Sequence, residues 1–289
     1  LFGLKPSRGL TAIEDSLAAV WGGMSVGHVV SQTVRDSAAF LDVITLAAPN
    51  QFAMPPSPAS FYGQLEAAPS ELRIGIQLTH PMEQAVDAEC VAAVQNAASL
   101  CESLGHRVDE ISHPVDYGPV VSAMGTMINT YIYKSLSPRL EALNTTLEDA
   151  PIEASTRIMA THGRDTVTSR YLAAVDTVKD AERLLLKFHQ DYPIILSPVL
   201  SKPPAEIGWL DMNSGDMKQY TNRFKQYSGF TALYNGTGQP SMSVPLHRTE
   251  AGLPVGVMFT GAWGADALLV GLARQLEDAQ PWPRRAPLD

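Results

Sequence analysis

Ser25 stands within Gly23-Met24-Ser25-Val26-Gly27, which spells the G-x-S-x-G pattern of a nucleophile elbow. In such an elbow a strand runs into a strained turn that lifts the serine hydroxyl, and a helix begins at once behind it. Neither flank is written here. The run before Ser25 is short and ends in two glycines, and helical spacing resumes only near Thr33. The segment therefore reads as a turn. The seven histidines (His28, His80, His106, His113, His162, His189 and His247) contain no pair three or four residues apart, and neither cysteine has a partner two or three residues away. That spacing builds no metal site, and no cofactor is implied. Gly236-Thr237-Gly238-Gln239-Pro240 lacks the strand-to-helix frame and trailing Lys-Ser/Thr of a phosphate loop, so it reads as a tight turn.

Two clusters qualify as ligand contacts. Arg157, His162 and Arg164 gather near one helix end, where they can hold a carboxylate or simply face water. Met124, Met127, Ile128 and Tyr131 share one side of a helix and can line an apolar pocket, although such a stripe is more often core.

These residues need elements to position them. Val34, Ala38, Leu41, Ile44 and Ala48 recur at helical spacing, with Ser31 or Thr33 as cap. Residues 49–70 hold five of the 21 prolines and read as a surface crossing. Residues 72–78, 86–105 and 106–111 then read as strand, helix and strand, a βαβ unit with parallel strands and with Gly105 ending the helix. From Tyr117 to Tyr192 the pattern is helical, broken at Pro138 and Pro151. Residues 193–200 form a buried strand. Met242, Val244 and Leu246 alternate with Ser241, Ser243 and Pro245 ahead of a second apolar run at 253–259, giving neighbouring strands and then a closing helix at 264–277.

Composition excludes several functions. With 45% hydrophobic and 18% charged residues in 289, the chain can bury a large core as one α/β domain. A net charge of −9 with no basic stripe argues against nucleic acid as a partner. The apolar runs stop well short of the roughly 20 residues that span a bilayer, so no membrane is addressed. Cys90 and Cys101 fall on one helix, too far apart along its axis for a disulfide. Two reduced core thiols fit a cytoplasmic location.

Five segments in order then carry a resemblance: Gly3–Gly9 (GLKPSRG), Gly27–Ile44 (GHVVSQTVRDSAAFLDVI), Phe230–Leu246 (FTALYNGTGQPSMSVPL), Gly252–Gly261 (GLPVGVMFTG) and Gln280–Pro287 (QPWPRRAP). Together they resemble the amidase-signature enzymes from the first residue to the last, with the second segment nearest to 6-aminohexanoate-cyclic-dimer hydrolase-like amidases. The resemblance implies a mixed, largely parallel β-sheet flanked by helices. It also implies that 1–289 is the C-terminal portion of a single amidase domain, with a mostly helical substrate-pocket insertion at about 117–192.

In that family the GLKP turn follows the nucleophilic serine by about a dozen residues, and a cis-serine and a lysine stand further upstream. The resemblance therefore places no catalytic residue in this chain, and Lys5 is not the catalytic lysine. The chain alone is expected to be inactive, with the missing N-terminal part and a small-molecule amide as its partners and a homodimer open to the full enzyme. Phe230, Thr231 and Asn235 are the implied pocket positions, beside Met124, Met127, Ile128, Tyr131 and Arg157. Because the strands beside Leu1–Leu4 would come partly from upstream, an uncovered apolar strand edge is expected there. Two alternatives stand beside this reading. One is the A subunit of a glutamyl-tRNA amidotransferase, which usually carries an acidic residue where Ser228 stands. The other is a non-catalytic binding module derived from an amidase.

Overall fold

A computed structural model describes residues 1–11, 20–45 and 54–284. The helical pattern beyond Thr45, the start of the proline-rich crossing and the end of the C-terminal tail lie outside the described residues. In chain order the elements are β1 (Phe2–Lys5), β2 (Val30–Ser31), α1 (Val34–Thr45), β3 (Arg73–Ile76), α2 (Ala88–Ser103), β4 (Arg107–Glu110), α3 (Tyr117–Ala142), α4 (Ala154–Arg164), α5 (Thr168–Phe188), β5 (Ile194–Pro198), α6 (Met217–Tyr227), α7 (Ala232–Thr237), β6 (Ser241–Arg248), β7 (Pro254–Gly261) and α8 (Asp266–Ala279).

The strands form one seven-stranded sheet in the order β2-β1-β6-β7-β5-β3-β4. It is a mixed α/β sheet flanked by helices, as the resemblance implies. The expected parallel character is confined to one end. β3 pairs parallel with β4 and β5, while the other four pairings are antiparallel. The reason is local: β6 and β7 are joined by a short hairpin, which can only give an antiparallel pair, and the strands on either side of them follow that frame. Their register shifts between Val244 and His247, where Pro245 has no amide to donate.

Alternation along the strands sorts the core into two. Ile194, Leu196, Val257, Phe259, Met242, Val244, Phe2 and Leu4 face one side, where α1, α2 and α8 cover them. Ile195 and Met258 face the other, under α3, α5 and α7. Asp87 caps α2 by accepting from the Glu89 amide at 2.9 Å, and Gly105 ends it with φ of 91°, a left-handed turn that glycine enters without a Cβ penalty. Cys90 and Cys101 are free and buried on this helix.

Two expectations are corrected. Pro138 lies inside α3 rather than ending it. It sits on an exposed stretch, where water can take the Lys134 carbonyl that loses its amide partner. Nor is β1 a bare edge, because it pairs with β6 on one side and with β2 on the other, through Phe2↔Ser31 and Gly3↔Val30. The strand at this end of the sheet is the two-residue β2, too short to template much pairing. No helix among the described residues is long and apolar enough to cross a membrane.

Candidate functional site

The second face of the sheet is only half covered. Over β5 and part of β7 it carries α3, α5 and α7, while over β2, β1 and β6 a cleft of about 350 Å³ opens. Its floor follows from strand parity. Gly3 and Lys5 of β1, Val30 of β2, Ser241 and Ser243 of β6 and Met258 of β7 all point to this face. Val26, His28 and Val29 form one rim, and Thr231, Asn235 and Val199 the other.

Arg8 holds the two rims in place. Its Nε donates to the Gly23 carbonyl at 2.8 Å, and its Nη2 to the Asn235 carbonyl at 2.9 Å and to that of Gly236. Thr11 adds a hydroxyl donor to the Gly27 carbonyl at 3.0 Å. At the end of β1 a buried clamp fixes the Lys-Pro-Ser turn. Asp266 accepts from the Ser7 amide at 2.8 Å and from its hydroxyl at 2.5 Å, and the Gly264 amide donates to the same hydroxyl at 2.9 Å. Burial raises the Asp266 carboxyl against the pull of these donors.

Lys5 reaches the cleft with its ammonium donating to the Pro6 carbonyl at 2.9 Å. Burial brings it down to about 7, with Asp266 opposing and Arg8 reinforcing the shift. His28 is held near 4 by burial, hence neutral at pH 7, and its Nε2 lies 2.8 Å from the Ser37 hydroxyl. The cleft thus offers a part-time cation, a neutral imidazole, two serine hydroxyls and an amide side chain. It can bind a polar carbonyl compound, but no lysine ammonium is hydrogen-bonded to a serine hydroxyl among the described residues.

The structure brings together only part of the set read from the sequence. Thr231 and Asn235 line the cleft. Phe230 lies beneath them, fully buried, with its ring edge-on to His80 at 5.5 Å. Met124 and Met127 are buried in the second core, where Met124 seats on Gly236 and Met127 on Gly22. Ile128 packs at the margin of that core, and Tyr131 sits beside Gly22 and Tyr171. Arg157 spends its guanidinium on the loop between α3 and α4, donating to the carbonyls of Leu147, Glu148 and Ala150. Its position is explained by that loop. Ser25 follows a short 3-10 turn at Val20–Gly22 rather than a strand, and no helix begins behind it until α1, so the elbow frame is absent among the described residues. Lys5, His28, Ser241 and Ser243 were not singled out as site residues. The signal for the serines was the polar phase of β6, which marks a face that apolar packing does not cover.

The protein is thus an α/β sheet with helices on both faces and a largely apolar cleft, carrying a few polar groups, over β2, β1 and β6. The amidase family model matches residues 1–270, and the chain belongs to that family. It is 30% identical over 302 aligned positions to the 6-aminohexanoate-cyclic-dimer hydrolase of Paenarthrobacter ureafaciens, covering 99% of this chain and 60% of that protein. The enzyme of the same description from Pseudomonas sp. (strain NK87) matches equally, at 30% identity and the same coverages. A solved structure of 6-aminohexanoate cyclic dimer hydrolase complexed with substrate superposes with a TM-score of 0.87 at 27% identity, over 99% of this chain and 62% of the other. The chain therefore spans about 60% of the length of these relatives.

Proposed function

We propose that this chain is the C-terminal part of a serine amidohydrolase that cleaves a C–N amide bond, with the Ser, cis-Ser and Lys of its triad lying upstream of residue 1. The observation that carries the reading is the cleft over β1 and β6, largely apolar with Lys5, Ser241, Ser243 and Asn235 set into its lining and, among the described residues, no lysine hydrogen-bonded to a serine. An amide is a poor electrophile. Its hydrolysis needs a serine hydroxyl relieved of its proton by a neutral lysine, and donors waiting for the tetrahedral oxyanion. The attack forms a C–O bond, the C–N bond then breaks as the amine leaves with a proton, and water releases the acyl group.

In this division of labour the present chain supplies pocket walls. Thr231 and Asn235 face the acyl or amine group, and Phe230 and the helical segment 117–192 support that rim from behind, with Met124 and Met127 packed in the same core as Phe230 and Leu233. The amidotransferase alternative is disfavoured by Ser228, whose hydroxyl is engaged with the Phe224 carbonyl at 3.0 Å where an acidic group would be needed.

The test compares the 289-residue chain alone with the chain joined to an upstream segment carrying the family's serines and lysine. Aryl amides and esters are the substrates. The joined protein is expected to hydrolyse them and the lone chain to be silent. Turnover by the lone chain that vanishes on Ser25→Ala would overturn the reading.

A further inference from the structure

The lysines of this chain do not share one setting. Lys134, Lys179, Lys187, Lys202, Lys218 and Lys225 are exposed, whereas Lys5 is partly buried. Strand pairing fixes its place. Lys5 lies opposite Ser241 of β6, and because Phe2 and Leu4 turn into the core under α1, α2 and α8, Lys5 turns to the other face and lines the cleft of about 350 Å³. Val26, Val29, Val30, Val199 and Met258 make much of that lining apolar.

Few groups hold the amine in its charged form. Asp266, from the start of α8, attracts it and Arg8 repels it, but no carboxylate forms an ion pair with it among the described residues. Its printed hydrogen bond is the one to the Pro6 carbonyl at 2.9 Å. Burial outweighs the pull of Asp266 and holds the amine at about 7. A neutral amine can keep one N–H on Pro6 and still present its lone pair, the state in which a desolvated lysine attacks a carbonyl carbon. The neighbours also select the electrophile. The Arg8 guanidinium is engaged with the carbonyls of Gly23, Asn235 and Gly236, and His28 is neutral with its Nε2 on the Ser37 hydroxyl. Neither is a free cation for a carboxylate, so the lining favours an uncharged aliphatic chain.

We infer that Lys5 is a covalent site for small, uncharged aliphatic aldehydes, which it captures as an imine. Nζ attacks the carbonyl carbon, a C–N bond forms and the carbonyl π pair moves to oxygen. Proton transfer from nitrogen to oxygen then lets the oxygen leave as water, and the C=N bond closes. No oxidant or reductant is consumed. The site goes beyond the amidase reading and does not depend on whether the joined protein cuts amides.

The experiment treats the 289-residue chain with hexanal and cyanoborohydride, which delivers hydride to the imine carbon and fixes the adduct as a secondary amine. The anionic 4-oxobutanoate is the comparison. Tandem mass spectrometry of the N-terminal peptide separates Lys5 from the α-amine of Leu1. At pH 7 an ordinary lysine is neutral in roughly one molecule in a few thousand, so hexanal is expected to label Lys5 at least about tenfold faster than any exposed lysine. The advantage should shrink as the pH rises to 9 and vanish in urea-unfolded chain. Hexanal should outpace 4-oxobutanoate at Lys5 by a wider margin than at the exposed lysines. Lys5→Arg should lose the fast adduct with its circular dichroism unchanged, and the peptide map of the parent gives the answer even if that variant does not fold. Labelling of Lys5 no faster than the exposed lysines, fast labelling at Leu1 alone, or an advantage that survives unfolding would overturn the site. Faster capture of 4-oxobutanoate than of hexanal at Lys5 would overturn the assignment to uncharged aldehydes.

Discussion

Lys5 shows how one residue can be misjudged from sequence alone. The string Gly-Leu-Lys-Pro marks it as a turn residue, and only strand parity reveals that it shares the cleft face with Gly3. The histidines were equally silent in sequence, since burial and not spacing sets their state. Both make predictions about pH. The Lys5 ammonium is held near 7 in the folded chain against an ordinary 10.5, so above pH 7 the unfolded chain binds more protons and stability rises with pH. Below pH 7 the penalty is fully present. Lys5→Met is therefore expected to be the more stable protein at pH 6 and to lose the rise between pH 7 and 8.5, read as urea midpoints. Above about 9 the thiols of Cys90 and Cys101, pushed up to about 12 by burial, act in the opposite direction. In acid, His28 and His113 are held near 4 by burial against an ordinary 6.5. Their contribution is present above pH 6.5 and lost as the pH falls toward 4. Midpoints for His28→Gln and His113→Gln should each fall less steeply between pH 6.5 and 4.5 than those of the parent, and slopes parallel to the parent would contradict this assignment.

At the scale of elements most of the fold was legible. Period-2 alternation gave β6 and β7, and the apolar stripe of Cys90, Val94, Ala97 and Cys101 gave α2, because a buried face leaves its period in the sequence. Pairing direction was legible where the connection sets it, as in the parallel β3–β4 pair of the βαβ unit, but not between strands distant in sequence such as β5 and β7, since an apolar strand carries no mark of its neighbour's orientation. Nor was the closeness of α3 and α4. At Gly163 of α4 a Cβ would fall 1.9 Å from the Asn129 carbonyl oxygen of α3, so the helices touch backbone to backbone at a residue that sequence reads only as a weak helix former. Gly163→Ala is expected to destabilise the chain by about 1–3 kcal/mol through overpacking, outweighing the gain of about 1 kcal/mol in helix propensity. Gly125→Ala in α3 is the control, because nothing lies within 4 Å of a Cβ there. It should stabilise by up to about 1 kcal/mol. Denaturant midpoints that move in the same direction for both would show that the close approach is not the cause.

Across the whole molecule the unequal covering of the two sheet faces organises everything else. One face is closed by α1, α2 and α8, while the other carries the cleft over β2, β1 and β6, and exposed apolar side chains stand on the edge strand and on α1. Val30 on the edge strand is 67% exposed, and on α1 Phe40 is 43% and Val43 67% exposed. The Phe40 ring lies 6.1 Å from the His28 ring at the cleft rim. The sequence could not show this patch, since each residue obeys the period of its own element and the exposure arises only where elements meet. Apolar surface beside a short edge strand favours association with other chains. The 289-residue chain is therefore expected to self-associate, its light-scattering mass rising between about 5 and 100 μM at a patch of a few hundred Å². Val30→Lys with Val43→Lys should shift that rise to higher concentration, because two like charges on each chain oppose contact while neither residue is packed in the core. Thermal unfolding of the double variant at low concentration should match the parent, which separates a surface effect from a loss of fold. A parent chain that stays monomeric throughout, or a double variant that associates as readily, would show that this opening is not a sticky surface and that the cleft is closed to other chains by its own rims.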